Sequence, residues 1–289
     1  MKLSELFSKK TPTLSFEVFP PKTDDNYESV KYATEKIAEL QPDFMSVTYG
    51  AGGGTSKHTL NIAKNLKNNY NTTPLAHLTC VSSSKEMIKN QLALLKDAGI
   101  KNILALRGDI PENLKKDMLD YHYASELVEE IKSFGDFCVG GACYPEGHIE
   151  SYNQKEDIRN LKTKIDAGCE FLTTQMFFDN NILYNFLYKI REAGITVPVV
   201  AGIMPVTNSK QIERICRLSG TYLPQRFKSI VDKFKDSPEA MKQAGIAYAT
   251  EQIIDLIANG VNNIHVYSMN KPEVAQKIKE NLSEILVIK

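Results

Sequence analysis

The sequence predicts an α/β protein, a closed (β/α)8 barrel with extra helices between the seventh and eighth strands. Eight short apolar segments rich in β-branched and aromatic residues alternate with segments of helical period, which predicts a parallel sheet with right-handed crossovers. The count of eight favours a closed barrel over an open doubly wound sheet. The predicted strand segments are 13–19, 44–50, 73–81, 102–109, 137–145, 171–178, 198–205 and 263–270.

Helices are predicted between these strands. Four segments space their apolar residues at helical intervals, and three of the four stop at a glycine. The long interval between the last two strands predicts the additional helices. The predicted helices span Tyr27–Leu40, Lys85–Ala98, Asp157–Ala167, Leu183–Ala193, about 222–235 and about 238–259.

Charge and composition narrow the function classes. The chain has 289 residues with 35 Lys and Arg against 35 Asp and Glu, so no overall field would attract nucleic acid or an anionic membrane. An anionic ligand therefore needs a local set of donors. No apolar run approaches the roughly 18 residues of a membrane span, and the segment 1–13 lacks the apolar core of a signal peptide. We expect a single cytoplasmic domain over residues 1–289.

The five cysteines are scattered and have no spacing typical of metal ligands. We expect them to be reduced thiols, mostly buried, and we expect no metal site.

Polar residues follow the predicted strands, at the end where barrel enzymes build their active sites. Burying each of them without a partner would cost a few kcal/mol, so the pattern indicates a polar ligand-binding mouth. The residues are Glu17, Thr48, Tyr49, His77, Arg107, Gly108, Asp109, Tyr144, Glu146, His148, Gln175, Gln211, Asn270 and Lys271.

Several of these residues also have a purely structural explanation. Taken alone, His77 is better explained as a core histidine bonded to neighbouring backbone. Arg107 and Asp109 either pair with one another or flank a flat ligand that approaches the backbone at Gly108. The segment GAGGGT (50–55) either cradles phosphate or forms a flexible loop over the mouth, since it lacks the spacing and the lysine of known phosphate loops.

Ten motifs occur in order across residues 15–271 and carry a family resemblance. They are SFEVFPPK, SVTYGAGG, AHLTC, LRGD, YASELV, YPEGH, NLKTKIDAG, TTQMFFD, GIMPVTN and HVYSMNK. Together they closely resemble the methylenetetrahydrofolate reductase family, in its short bacterial form that consists of the catalytic barrel only.

The resemblance implies a TIM barrel that holds FAD at its C-terminal face. In such enzymes NAD(P)H reduces the flavin and leaves, and 5,10-methylenetetrahydrofolate takes its place and becomes 5-methyltetrahydrofolate, a ping-pong sequence. The resemblance places FAD contacts at Tyr49, Ala51, His77, Leu106, Arg107, Gly108, Asp109, Tyr123, Ala124, Tyr144, His148, Asp157, Asn160 and Lys164. It places folate or nicotinamide contacts at Thr48, Gln175, Gln211 and Lys271, and the general acid at Glu17.

The residue types suit these implied roles. Opening the folate ring requires a proton on the departing nitrogen, and desolvation by Phe16, Phe19 and two prolines would keep Glu17 protonated. Asp109 would act electrostatically beside the flavin. Gln175 can serve both substrates because an amide both donates and accepts hydrogen bonds. The positive charges expected to neutralise the pyrophosphate come from Arg107, His148 and Lys164.

Three positions depart from the family pattern. Ile215 stands where the family commonly has a phenylalanine, and Thr163 where it commonly has a basic residue. Lys271 stands where the family commonly has an arginine, whose planar guanidinium can bind a carboxylate through two N–H groups. The departures leave an alternative open: a flavoprotein subunit of a larger methylenetetrahydrofolate reductase complex that receives electrons through a partner. We expect methylenetetrahydrofolate and NAD(P)H as substrates, and either a homo-oligomer or a subunit of a hetero-complex.

Overall fold

Eight parallel strands form a closed barrel in chain order, which confirms the predicted fold class. The computed structural model describes residues 1–21, 23–49, 56–110 and 119–287. The segment GAGGGT, and with it both interpretations of that segment, lies outside the described residues. The strands are β1 Thr13–Val18, β2 Phe44–Val47, β3 Thr73–Thr79, β4 Asn102–Leu106, β5 Cys138–Cys143, β6 Phe171–Thr174, β7 Val199–Ile203 and β8 Asn263–Val266.

Helices surround the barrel, and a single 3₁₀ turn, Asp24–Asn26, precedes the second of them. Among the described residues, none of the helices combines the length and apolarity needed to cross a membrane. The helices are α1 Leu3–Phe7, α2 Tyr27–Ala38, α3 Ser56–Asn69, α4 Lys85–Asp97, α5 Ala124–Phe134, α6 Gln154–Asp166, α7 Asn180–Glu192, α8 Ser209–Ser219, α9 Gln225–Phe234, α10 Pro238–Ala258 and α11 Pro272–Asn281.

Two helices, α6 and α7, begin a few residues before their predicted starts because polar side chains cap them. The side chain of Asn153 accepts a hydrogen bond from Glu156 N at 2.9 Å, and that of Asp179 accepts one from Asn181 N at 3.0 Å. Apolar periodicity begins only at the first buried residue, about one turn after the capping residue. The sequence therefore predicted the core-facing side of each helix but not its first turn.

The region between β7 and β8 contains three helices, as the prediction of extra helices requires. α10 packs against β7, α7 and α11 and is therefore the barrel helix, while α8 and α9 are the additional ones. This corrects the interpretation of 238–259 as an extra helix. A Cβ on Gly245 of α10 would lie 1.8 Å from Val206 O, so glycine is needed where α10 crosses the loop after β7.

Alternation along β1 separates an outer and an inner face. Leu14, Phe16 and Val18 belong to the core between barrel and helices, whereas Ser15 and Glu17 alternate with them and contact side chains inside the barrel. The strand is buried on both faces, as is usual for a parallel sheet.

An apolar plug closes the N-terminal end of the barrel. Phe7 of α1 packs edge-on against Phe44 and Phe171, with ring centroids 5.8 and 5.2 Å apart. Leu3 N donates a 2.8 Å hydrogen bond to Asn102 Oδ1, which fixes the helix to β4. This end of the barrel is a packed core.

All five cysteines are unpaired, four of them buried and Cys216 partly buried. This agrees with the expectation of reduced, mostly buried thiols.

Candidate active site

A cavity of about 250 Å³ lies in the C-terminal half of the barrel. Five of its lining residues were predicted site residues: Glu17, His77, Leu106, Tyr144 and Gln175. They come from five different strands or strand ends, so closure of the barrel is what brings them together. The other lining residues are Phe19, Leu104, Ala142, Thr173, Thr174, Met204 and Tyr267.

Glu17 is 8% exposed and its carboxyl group faces the barrel interior. Its Oε2 lies 3.4 Å from Ser46 Oγ, 3.5 Å from His77 Nε2 and 4.0 Å from His265 Nε2. Burial raises the pKa of Glu17 to about 8, so the carboxyl group is protonated at neutral pH. The predicted rise in the pKa of Glu17 is confirmed, but the groups that desolvate the carboxyl differ in part from those predicted. Phe16 lies on the opposite face of β1, so inward-facing side chains exclude water from Glu17 instead.

The two histidines beside Glu17 provide no positive charge. Burial lowers the pKa of His77 and that of His265 to about 3, so both imidazoles are neutral at pH 7. A carboxylate at Glu17 would therefore be buried beside two neutral rings. This explains why the protonated form is favoured.

Two fully buried side-chain polar atoms in the cavity lining have no hydrogen-bond partner among the described residues. They are His77 Nε2 and Thr173 Oγ1, both buried. An unpaired buried polar group costs about 1–3 kcal/mol, and most such groups in folded proteins are satisfied. The explanation of His77 as a satisfied core histidine therefore does not hold for its Nε2. Both atoms are placed to meet a polar ligand.

Arg107 lies at the mouth and pairs with Glu150. Its terminal nitrogens donate to the two carboxylate oxygens of Glu150 at 2.7 and 2.6 Å, and its Nε donates to Gly108 O at 3.2 Å. Of the two alternatives, direct pairing of Arg107 with Asp109 is therefore not what holds the guanidinium. Gly108 has φ +85° and a Cβ there would lie 2.9 Å from Val81 Cγ1, so only glycine fits this turn.

Lys164 and His148 are both partly buried beside the mouth, and each makes a hydrogen bond there. Lys164 Nζ donates to Ala142 O at 2.7 Å, and burial lowers the pKa of this lysine. Glu150 N donates to His148 Nδ1 at 3.1 Å, which leaves Nε2 to carry the hydrogen, and burial lowers the pKa of His148. His148 therefore offers a hydrogen bond and no positive charge, which corrects its expected contribution to neutralising a pyrophosphate.

Comparison with known proteins identifies the family. The family model described as methylenetetrahydrofolate reductase matches residues 2–283. The chain belongs to the methylenetetrahydrofolate reductase family.

Curated relatives agree with this assignment. The chain is 36% identical to the 5,10-methylenetetrahydrofolate reductase of Pectobacterium carotovorum subsp. carotovorum over 93% of its own length and 89% of the relative's. It is 34% identical to the Escherichia coli (strain K12) enzyme of that name, over 93% and 90%. It is 35% identical to Methylenetetrahydrofolate reductase (NADH) 1 of Arabidopsis thaliana over 98% of this chain, which spans 50% of that relative. The predicted enzyme class is confirmed, and these names do not favour the alternative of an electron-accepting subunit.

A solved structure shares the fold. It is an uncharacterized protein from Clostridium thermocellum described as binding two copies of 5-methyl-5,6,7,8-tetrahydrofolic acid, with a TM-score of 0.67 and 14% identity, covering 99% of both chains. At this identity the likeness concerns the barrel architecture alone.

The remaining residues predicted from the resemblance to the reductase family, as far as the structure describes them, lie outside the cavity lining. Asp109 and Asn160 are exposed, and Tyr123 precedes α5 with 64% of its surface exposed. Lys271 precedes α11 and donates to Thr207 Oγ1 at 2.6 Å. Ala51 and the side chain of Gln211 lie outside what the structure describes. The others, at the mouth or on α5 and α6, are Thr48, Tyr49, Arg107, Gly108, Ala124, His148, Asp157 and Lys164.

Ile215, the departure from the family's phenylalanine, packs against the apolar cluster that joins α8 and α9 to the barrel. This cluster includes Met176 and Phe227, both buried. An aliphatic side chain therefore serves the packing of α8.

Sequence reasoning missed several lining residues of this reductase-family cavity that strand periodicity could have found. Thr173 lies two residues before Gln175, and Ala142 lies two residues before Tyr144, so each pair shares one face of its strand. Tyr267 is inward-facing on the same argument, and its hydroxyl donates to Thr174 O at 2.6 Å. The prediction used only the last polar residue of each strand.

Proposed function

We propose that residues 1–289 form one catalytic domain that reduces 5,10-methylenetetrahydrofolate to 5-methyltetrahydrofolate, with FAD as cofactor and NAD(P)H as electron donor in a ping-pong sequence. The observation that carries the proposal is Glu17, a buried and neutral carboxylic acid inside a cavity at the C-terminal end of the barrel. The names of the bacterial relatives support the folate reaction, and the name of the Arabidopsis relative supports a nicotinamide donor.

The residues present fit a flavin. The cavity of about 250 Å³ is smaller than the roughly 300–1,000 Å³ typical of small-molecule pockets, so it suits a ring system, and the rest of a dinucleotide would extend over the mouth. The unpaired His77 Nε2 and Thr173 Oγ1 could bond to the polar edge of such a ring. The basic side chains at the mouth that would contact a pyrophosphate are Lys164 and Arg107, the latter paired with Glu150.

FAD, when bound, supplies the transfer of an electron pair from nicotinamide to folate. The protein supplies position and a proton. Neutral Glu17 would donate its proton to the nitrogen that departs when the folate ring opens, and would become a carboxylate. Gln175 would bond to each substrate in turn; its Oε1 accepts from Met176 N at 2.9 Å, which leaves its amide N–H groups free to donate.

The other predicted residues keep their proposed roles. Asp109 would act electrostatically at the mouth. The proposed FAD contacts are Tyr49, Ala51, His77, Leu106, Arg107, Gly108, Asp109, Tyr123, Ala124, Tyr144, His148, Asp157, Asn160 and Lys164, and the proposed substrate contacts are Thr48, Gln175, Gln211 and Lys271.

The test separates the two half-reactions. Purified protein loaded with FAD is mixed anaerobically with NADH or NADPH, and reduction is followed by absorbance. Reduced protein is then mixed with methylenetetrahydrofolate, and reoxidation is followed. We expect the variant Glu17→Gln to keep the first half-reaction and to lose about 10²–10⁴-fold in the second, the usual contribution of a general acid.

Glu170→Gln is the matched control. Glu170 is a partly buried carboxylate at the N-terminal end of β6, paired with Lys132 at 2.9 Å, and its substitution should leave both half-reactions unchanged. Failure to bind FAD, or failure of methylenetetrahydrofolate to reoxidise the reduced protein, contradicts the proposed reaction. Equal loss of both half-reactions in Glu17→Gln contradicts the role of Glu17.

A further inference from the structure

A row of buried polar side chains crosses the barrel interior and ends at Glu17. Ser15 Oγ lies 2.9 Å from Ile264 O and 2.7 Å from His265 Nδ1. Ser46 Oγ lies 3.0 Å from His265 Nε2 and 3.4 Å from Glu17 Oε2. Each serine therefore makes two polar contacts but has a single hydroxyl hydrogen. The positions of these hydrogens decide which groups donate and which accept.

The hydrogen of Ser15 determines the tautomer of His265. If Ser15 donates to Ile264 O, its oxygen accepts from His265 Nδ1–H, and both short contacts contain a hydrogen. If Ser15 donates to Nδ1 instead, two acceptor oxygens face each other 2.9 Å apart with no hydrogen between them. Only the first arrangement satisfies both contacts. Burial lowers the pKa of His265 to about 3, so the ring is neutral and its one hydrogen is on Nδ1.

The tautomer in turn determines what Ser46 can do. The unprotonated Nε2 of His265 is an acceptor, so it takes the only hydrogen of Ser46 across the 3.0 Å contact. Ser46 would be the donor in the 3.4 Å contact if Glu17 were a carboxylate. Because His265 takes the Ser46 hydrogen, the oxygen of Ser46 accepts from the carboxyl group of Glu17 instead. This contact contains a hydrogen only when Glu17 is protonated.

We propose that His265 is a positioning residue for the acid: by taking the hydrogen of Ser46, it presents Glu17 with an acceptor and so favours the protonated carboxyl group. The proposal rests on the proposed function for its significance, because a proton held on Glu17 is the one that folate ring opening would consume. His265 itself does not line the cavity. It acts on Glu17 through Ser46.

The surroundings of Glu17 agree with this arrangement. Within the described residues, the titratable side chains that face Glu17 are His77 from β3, His265 from β8 and Tyr267 directly after β8. Burial lowers the pKa of both histidines to about 3 and raises that of Tyr267, so all three are neutral at pH 7. None of them supplies the positive charge that would favour a carboxylate.

The sign of a titration shift tests the proposal. The titration midpoint of Glu17 is read by infrared difference spectroscopy of the full-length purified protein with ¹³C-labelled glutamate, using Glu17→Gln to assign the band. Because Ser46 accepts from the acid, Ser46→Ala should lower the midpoint by about one pH unit, the value of one ordinary hydrogen bond. If Ser46 donated to the carboxylate instead, the same substitution would raise the midpoint. A rise or no change overturns the proposal.

Two further variants and one spectrum complete the test. His265→Gln can keep an acceptor near Ser46 and should shift the midpoint less than His265→Phe, which removes the acceptor. Ser268→Ala is the matched control, because Ser268 Oγ donates to the backbone oxygen of Glu17 at 3.2 Å and not to its carboxyl group; its midpoint should not move. Nitrogen-15 shifts of His265 should report hydrogen on Nδ1, and hydrogen on Nε2 overturns the proposal.

These measurements need neither folate nor nicotinamide. A protein that fails to reduce methylenetetrahydrofolate but shows the lowered midpoint in Ser46→Ala would sink the proposed function and keep the role of His265. Normal folate reduction with a raised midpoint in Ser46→Ala would do the reverse.

Discussion

The two ends of the barrel interior are built from opposite kinds of side chain. At the N-terminal end, Phe7, Phe44 and Phe171 pack into a buried apolar plug. At the C-terminal end, a buried carboxyl group and the unpaired polar atoms of His77 and Thr173 surround a cavity. The first arrangement stabilises the fold, and the second costs stability. The contrast indicates that the C-terminal end is maintained for binding and chemistry, as in other barrels of this kind.

Strand β6 contributes Phe171 to the apolar plug and Thr173, two residues later, to the cavity wall. Substitution of Phe171 gives the largest expected effect on stability. Phe171 is fully buried in the plug. Phe171→Ala should lower the free energy of unfolding by about 3–5 kcal/mol, because it leaves a cavity among packed rings. Denaturant unfolding measures the loss. Folate reduction by the folded fraction should stay near the wild-type rate. A large fall in that rate would contradict a purely structural role for the N-terminal end of the barrel.

Substitution of Thr173, the cavity residue of β6, should change the free energy of unfolding in the opposite direction. Thr173→Val keeps the shape but removes the unpaired buried hydroxyl. We expect it to raise the free energy of unfolding by about 1–3 kcal/mol and to weaken binding of FAD. Unfolding and flavin titration measure the two effects. A less stable variant with unchanged flavin affinity would show that Thr173 is an ordinary core residue.

Two interior glycines form a matched pair across the same division. A Cβ on Gly140 would lie 2.3 Å from the ring of Phe171, and one on Gly202 would lie 2.4 Å from the hydroxyl of Tyr267. Each alanine variant should cost about 1–3 kcal/mol of stability through overpacking. Only Gly202→Ala should also slow the folate half-reaction, because it displaces Tyr267 from the cavity wall. Equal kinetics in both variants would contradict this.

The raised pKa of Glu17 should make the free energy of unfolding depend on pH, and this is the smallest of the predicted effects. Its pKa is about 8 in the folded protein against 4.5 ordinarily, so the stability present below pH 4.5 is lost as pH rises through 8. His77 and His265 have pKa values of about 3 in the folded protein against 6.5 ordinarily, so their contribution makes the protein more stable as pH rises. That contribution is complete by pH 6.5. Between pH 6.5 and pH 8 the unfolding free energy should therefore fall, by up to about 1.4 kcal/mol per pH unit, relative to Glu17→Gln. Parallel curves for the two proteins would contradict a raised pKa of Glu17.

The sequence predicted much of this contrast, because periodicity and strand ends are local features. All eight strands were located, and Glu17 and His77 were recognised as polar residues at strand ends. Ser46 and His265 were not recognised. Their contact with Glu17 depends on the register that places Glu17 beside Ser46 and Ser15 beside His265, and no single strand contains that information. The pair Arg107–Glu150, 43 residues apart, was missed for the same reason.

The most direct test of the central claim, that Glu17 supplies the proton for folate reduction, is the pH profile of the single-turnover folate half-reaction. The pKa of about 8 predicts a rate that is constant at neutral pH and falls about tenfold per pH unit above pH 8. Glu17→Gln should be slow, with no break near pH 8. A wild-type rate that stays constant through pH 9, or the same break in Glu17→Gln, would contradict the claim.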